Sequence, residues 1–229
     1  MDTSSQNNTA LVLFARSAED ELRHKKLCEN KGINKYLLQS LYNRSVELAE
    51  QADLPLFHYD ENAQSGSNFG ERLTYCISNV LAEGYQKVIV IGSDCPDISL
   101  TDIRKAEYML GDSSMVVGPD QRGGTFLLGL RAEIFTTEIF TSLDWQQETL
   151  VLSISKLAFA KGWEIAYLRK KFDLNHTYDL KKYRHVSGFL IKIFCVLLAQ
   201  RPNFHFTDYQ YSAHFYHTLL SRRGPPSAS

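Results

Sequence analysis

The chain has 229 residues, 44% of them apolar and 22% charged, with a formal charge of −1. That make-up describes a soluble globular protein able to bury a sizeable core, and near-neutral charge argues against non-specific nucleic-acid binding, which needs an excess of Lys and Arg. The length suits one domain with a C-terminal appendage better than two domains.

Cys28, Cys76, Cys95 and Cys195 show neither a C-x-x-C pair nor a framework spacing, so a reduced, cytoplasmic setting is expected. Residues 1–9 are polar and read as a disordered leader; without a basic n-region or an apolar h-region they do not read as a signal peptide. The apolar stretch at 188–198 is interrupted by Lys192 and falls short of the roughly 20 residues a spanning helix needs, so it reads as a buried helix and no integral membrane segment is expected.

Residues 11–14, Leu-Val-Leu-Phe, form an apolar run that predicts a first strand. Arg16, just beyond it, stands where phosphate-binding groups often lie on nucleotide-binding sheets, and the basic stretch Arg23-His-Lys-Lys26 follows, with Lys25 a further candidate. The loop lacks glycine, so neither G-x-G-x-x-G nor a P-loop is present, and the basic stretch also fits a solvated helix face. Leu37, Leu38, Leu41, Val46 and Leu48 predict an amphipathic helix over 33–49. Residues 54–59 predict a second strand, with Pro55 near its start. A polar loop with Gly66 leads to a helix over 69–81, capped by Ser67 or Asn68, with Gly70, Glu71 and Arg72 in its first turn.

The central stretch is Lys87-Val-Ile-Val-Ile-Gly-Ser-Asp-Cys-Pro-Asp97. Its unbroken apolar run predicts a strand buried on both faces of a parallel sheet. Ligands on open α/β sheets bind beyond the carboxyl ends of strands, so Ser93, Asp94 and Asp97 stand where a metal or a phosphate-bearing ligand would be met, and the two aspartates are the candidate catalytic carboxylates. Pro96 stiffens the turn, and Ser99-x-x-Asp102 forms a capping box that opens the next helix.

Residues 114–118 and 125–130 predict two more strands, joined by Pro119-Asp-Gln-Arg-Gly-Gly124. Gly123 and Gly124 permit close approach of backbone to a ligand, although a plain hairpin loop uses such glycines too. A helix is expected over 147–160 and an edge strand over 163–168. A late strand ending in Asp173 and Asn175 would supply a second oxygen-rich turn, suited to a hard divalent cation that keeps water and phosphate as its remaining ligands. Beyond residue 184 the pattern suggests an appended helical pair and a loose terminus; His205, His214 and His217 lack the partner needed for four-fold metal ligation. The expected organisation is a leader at 1–9, a nucleotide-binding domain at 10–184 and a helical appendage at 185–229.

Four motifs stand in order: Gly66 with Phe69-Gly-Glu-Arg72, Gly92-Ser-Asp-Cys-Pro-Asp97, Val117-Gly-Pro119 with Gly123-Gly124 and Leu127-Leu-Gly-Leu130, and Asp173-x-Asn175-x-x-x-Asp179-Leu180. Together they resemble a bacterial family of small GT-A-like proteins labelled glycosyltransferase or nucleotide-diphospho-sugar-transferase-like, fold relatives of molybdenum cofactor guanylyltransferase. The resemblance covers roughly residues 10–182. It implies an α/β, Rossmann-like GT-A fold with a mixed, mostly parallel sheet flanked by helices. It also implies Mg2+ or Mn2+ held by Asp94 with Asp173 or Asn175, and a nucleotide or nucleotide-sugar bound by Arg16, Lys25, Gly66, Arg72, Ser93, Arg122, Gly123 and Gly124. The implied activity is metal-dependent transfer to an unidentified acceptor, glycosyl transfer from an NDP-sugar standing ahead of nucleotidyl transfer from an NTP. The alternative is a non-catalytic or degenerate nucleotide-binding partner protein, and the appendage is an expected route to a homo-oligomer. Two departures stand out: Arg122 and Thr125 replace the family's Asp and Tyr, and the first loop lacks its Pro-Gly and Lys-Thr-Arg residues.

Overall fold

The computed structural model describes residues 8–183, 188, 189 and 193. The described residues up to 189 belong to one compact unit, residues 1–191; a second unit from 192 contains only Ile193 among them. The expected helical pair, the histidines at 205, 214 and 217 and most of the apolar stretch at 188–198 lie outside the described residues.

Strand β1 (Thr9–Phe14) leads through α1 (Ala18–His24) and α2 (Lys31–Glu50) to β2 (Leu56–Tyr59), then α3 (Phe69–Ala82), β3 (Lys87–Ile91), α4 (Leu100–Met109), β4 (Met115–Pro119) and β5 (Thr125–Arg131). A 3-10 turn (Ala132–Ile134), α5 (Thr137–Thr141), α6 (Leu150–Lys161), β6 (Ile165–Tyr167) and α7 (Thr177–Tyr183) complete the unit. The sheet order is β2-β1-β3-β5-β4-β6. Pairings β1·β2, β1·β3 and β4·β6 are parallel, while β5 runs antiparallel to both β3 and β4. The sheet is therefore mixed, with five strands in one direction and β5 reversed.

Alternation along the strands divides the core between the two faces of this sheet. Leu11, Leu13, Ile89, Ile91, Val116 and Leu127 face α2 and α4, packing with Leu48, Ala49, Ile103, Ala106 and Leu110. Ala10, Val12, Val88, Val90, Met115, Val117, Leu128 and Leu130 face the other way, onto Leu73, Ile77 and Val80 of α3, Phe140 of α5, and Leu150 and Ile154 of α6. Each fully buried Val, Leu or Ile contributes roughly 1.5–3 kcal/mol, so β3, covered on both faces, is anchored more strongly than any edge strand.

Local chemistry sets the ends of the helices. The Ser17 hydroxyl accepts from the Asp20 N–H, and Asn68 Oδ1 accepts from the Glu71 N–H. The Asp102 carboxylate accepts from both the backbone N–H and the hydroxyl of Ser99, at 2.8 and 2.6 Å. Helix α6 starts at Leu150 rather than 147: after Gln146, with a positive φ of 61°, residues 147–149 form a bend and turn, and Thr149 is the N-cap residue. Strand β6 occupies the sheet edge, as its alternation predicts.

The late strand ending in Asp173 and Asn175 does not form: residues 171–175 have no regular secondary structure. Phe172 and Leu174 are buried, which explains the strand-like pattern. The backbone nevertheless crosses the sheet's end: the Lys171 N–H donates to the Pro119 carbonyl and the Leu174 N–H to the Asp94 carbonyl. These bonds join it to two different strand ends, so no ladder can build.

Candidate functional site

A cleft of about 560 Å³ opens across the carboxyl ends of β1 and β3. Its walls come from Phe14 to Arg16, Gly92 to Cys95, the β4–β5 loop, the approach to α6, the start of α3 and the crossing segment around Asp173.

The turn after β3 is held from beneath. Arg44 Nε and Nη2 donate to the Pro96 and Ile98 carbonyls at 2.8 and 2.6 Å. Lys171 Nζ donates to the Asp97 carbonyl at 2.7 Å and pairs with Asp102 at 3.0 Å. Cys95 and Ile98 are buried under the turn, and burial pushes the Cys95 thiol well above its ordinary pKa, so it is not a ready nucleophile. Ser93 and Asp94 are thereby presented to the cleft on a fixed backbone.

Asp94 is joined by Lys25 Nζ, a buried ammonium that also lies 4.0 Å from Glu21. Of the basic stretch, only Lys25 is buried. Arg23 and His24 reach Asp20, and Lys26 reaches Glu29. Lys25 is held at the end of α1 by its N–H to the Glu21 carbonyl, and Asn34 Nδ2 donates to its carbonyl. Burial, reinforced by the nearby Asp94 charge, raises the Glu21 pKa, with Lys25 and Arg16 opposing it.

Asp173 carries the most perturbed carboxyl of the cleft. Burial, followed by the Asp94 and Asp120 charges, pushes its pKa up to about 8, with Lys25 and Arg122 pulling the other way. Its Oδ1 is shielded from solvent and has no hydrogen-bond partner. Such an atom costs free energy unless a proton or cation meets it.

The β4–β5 loop is built around Asp120, whose Oδ1 accepts from the N–H groups of Arg122 (2.6 Å) and Gly124 (2.8 Å). Gly123 has φ +94°, and a Cβ there would fall 1.9 Å from the Glu148 carbonyl oxygen. A Cβ on Gly124 would fall 2.7 Å from Asp120 Oδ2. Both glycines thus admit close protein neighbours, beside whatever the cleft binds. Arg122 lines the cleft and pairs with buried Asp179 at 2.7 Å.

Among the expected site residues, Arg16, Arg72, Ser93, Asp94, Arg122, Gly124, Asp173 and Asn175 line the cleft together. Asp97, Lys25, Gly66 and Gly123 do not; Gly66, at φ +140°, packs against the start of α3, where its Cβ would meet the Arg72 nitrogen at 2.7 Å. Sequence reading missed Glu21, Gln64 and the aromatic wall that Phe14 and Trp145 form with Phe69, a residue it places only within the motif Phe69-Gly-Glu-Arg72. Phe69 contacts Phe14 edge-on at 5.4 Å and Trp145 at 5.8 Å between ring centroids. Gly70 leaves room for that indole, since a Cβ there would lie 2.5 Å from it. No local signal marks Trp145, which stands outside any periodic segment.

Fold and cleft define a GT-A-like protein, a mixed α/β sheet with an acidic cleft at its strand ends. The chain belongs to the family described as an uncharacterized protein conserved in bacteria (DUF2064), whose model matches residues 25–147. A "putative nucleotide-diphospho-sugar transferase" from Desulfovibrio desulfuricans G20 shares the fold at a TM-score of 0.71 and 18% identity, over 85% of this chain and 98% of that one. Two weaker likenesses are Rv0371C from Mycobacterium tuberculosis H37Rv in complex with manganese (TM-score 0.42, 14% identity, 78% and 98% covered) and a 4-diphosphocytidyl-2C-methyl-D-erythritol synthase from Anaerococcus prevotii DSM 20548 (0.44, 8%, 87% and 100%). No curated protein matches the sequence.

Proposed function

We propose that the protein is a divalent-metal-dependent transferase acting on a nucleotide-activated substrate, with an NDP-sugar as the leading donor and an NTP as the alternative. The observation that carries this reading is the partnerless Oδ1 of Asp173, in a cleft shared with Asp94. Two carboxylates from different loops suit Mg2+ or Mn2+, which bind through one or two carboxylates and complete their shell with water and phosphate oxygens. Among the described residues no three His, Cys, Asp or Glu side chains gather as a metal site, which is compatible with such a sparse ligand set. When bound, the cation would neutralise pyrophosphate charge and stabilise it as the leaving group departs.

The chain's own residues have distinct roles in this scheme. Asp94 and Asp173 hold the cation, with Asn175 beside them, while Lys25 balances the Asp94 charge from behind. Arg16 and Arg72 bring positive charge to the cleft for the phosphates. The Phe14, Phe69 and Trp145 wall suits the flat face of a base or sugar. Positioning and electrostatics carry the reaction, without a covalent role for the protein.

A thermal-shift panel of NTPs and NDP-sugars, each with and without Mg2+ or Mn2+, tests the reading. Saturation at 100 times Kd stabilises by about 2.7 kcal/mol, so a metal-dependent rise in melting temperature is expected for at least one nucleotide class. No stabilisation by any nucleotide would sink the proposal. Product analysis separates the donors, since an NDP-sugar leaves NDP and an NTP leaves pyrophosphate. The alternative, a non-catalytic nucleotide-binding protein, draws on Lys25, which already neutralises Asp94. It fails if Asp94→Asn abolishes turnover while the fold is kept.

A further inference from the structure

Arg122 stands where the resembling family carries an aspartate, and its guanidinium engages the protein itself. Nη1 donates to Asp179 Oδ1 at 2.7 Å and Nη2 donates to the Asp173 carbonyl at 3.0 Å. Asp179 is fully buried, and its other oxygen accepts from the N–H groups of Asn175 and His176 at 2.8 Å each. Residues 171–175 have neither helix nor strand to hold them, so these bonds, with that from the Leu174 N–H to the Asp94 carbonyl, fix their course. Arg122 is itself aimed by the Asp120 carboxylate on its N–H and by Gly123, seated against Glu148.

We propose that Arg122 is a positioning residue: with Asp179 it forms a latch that ties the β4–β5 loop to the segment 173–176 and holds the Asp173 carboxyl in the cleft. The proposal rests on the reading that this cleft takes a divalent cation. Groups that orient metal ligands typically control affinity by about 10–100-fold, and here two nitrogens of one rigid, planar guanidinium hold the Asp179 carboxylate and the Asp173 carbonyl at a fixed spacing. Lysine, a single nitrogen on a flexible stem, lacks that fixed spacing.

The test uses Arg122→Met, Arg122→Lys, Asp179→Asn and the double variant Arg122→Met/Asp179→Asn. Mn2+ affinity is read by electron paramagnetic resonance without nucleotide, and hydrogen exchange is followed in a peptide spanning 171–180. Each single variant is expected to weaken Mn2+ binding on the order of tenfold or more and to speed exchange in that peptide, with exchange in β3 unchanged. The double variant should lose little beyond either single one, because both act through one latch. If Arg122→Met does not fold, Arg122→Lys and Asp179→Asn carry the same two measurements. Unchanged Mn2+ affinity and exchange, with weaker nucleotide binding alone, would make Arg122 a direct phosphate ligand and overturn the proposal. Failure of the unsubstituted protein to bind Mn2+ would instead overturn the cation reading of the cleft, a result seen before any variant is made.

Discussion

Asp173 and Asp179 sit six residues apart on one segment, yet their surroundings oppose each other. Burial raises both carboxyls, but at Asp179 the hydrogen bonds from Arg122, Asn175 and His176 outweigh it and hold the group below the ordinary carboxylate range. At Asp173 nothing meets Oδ1, and neighbouring carboxylates add to the rise. A satisfied buried carboxylate is part of the architecture, whereas an unsatisfied one in a cleft is a candidate for a functional group, here the proposed cation ligand.

The comparison is broken most strongly at Asp179. Asp179→Ala removes one partner of a buried ion pair and the shared acceptor of two backbone N–H groups, so a loss of about 3–5 kcal/mol is expected in urea unfolding. A loss below 1 kcal/mol would show that the pair is not structural. Asp173→Asn should do the reverse: metal-free stability is kept near neutral pH, where burial already holds the carboxyl mostly protonated, and raised above about pH 8, where the amide carries no charge to bury, while turnover falls on the order of 10²–10³-fold. Equal damage to stability at both positions would erase the distinction.

The two groups also leave opposite marks on the pH dependence of the metal-free protein. The folded pKa of Asp173 is raised from 3.8 to about 8, so its contribution is full below 3.8 and is lost as pH rises through about 8. The folded pKa of Asp179 is lowered, so its contribution is present above 3.8 and is lost as pH falls through the lowered value. Urea midpoints measured across pH should therefore show the decline between about pH 4 and 8 flattened by Asp173→Asn and the acid decline below about pH 4 flattened by Asp179→Asn. Gly123→Ala disturbs the comparison from the loop side. The φ of +94° alone costs about 1–3 kcal/mol and displacement of the Glu148 backbone adds to it, with looser exchange expected at Arg122 and in the 173–176 segment. Smallest is Asn68→Ala, which removes the α3 cap and costs about 0.5–2 kcal/mol without altering exchange around Asp173.

Much of the fold was legible where local chemistry decides. The run Val88 to Ile91, Pro96 and the Ser99–Asp102 capping box mark a strand, a stiff turn and a helix start within fifteen residues, and the structure has all three. The segment around Asp173 was misread because Phe172 and Leu174 alternate as strand residues do, while pairing depends on which backbone lies alongside. Lys25 stands out from the basic stretch as a candidate phosphate-binding group, but its burial against Asp94 is not legible in the sequence, since its inward turn comes from the end of α1 and from Asn34, nine residues on. Arg122 looked like a phosphate ligand because its partner Asp179 lies 57 residues away.

By itself, then, the sequence determined the elements and the acidic turn after β3, because hydrophobic period, capping and proline act over a few residues. Tertiary structure alone decided that β5 runs antiparallel between β3 and β4, that Asp173 meets Asp94 in one cleft with its Oδ1 left bare, and that Asp179 is neutralised by Arg122. Those outcomes depend on which distant groups share a low-dielectric space, and charge, burial and hydrogen bonding there are properties of the assembled neighbourhood rather than of any one stretch of chain.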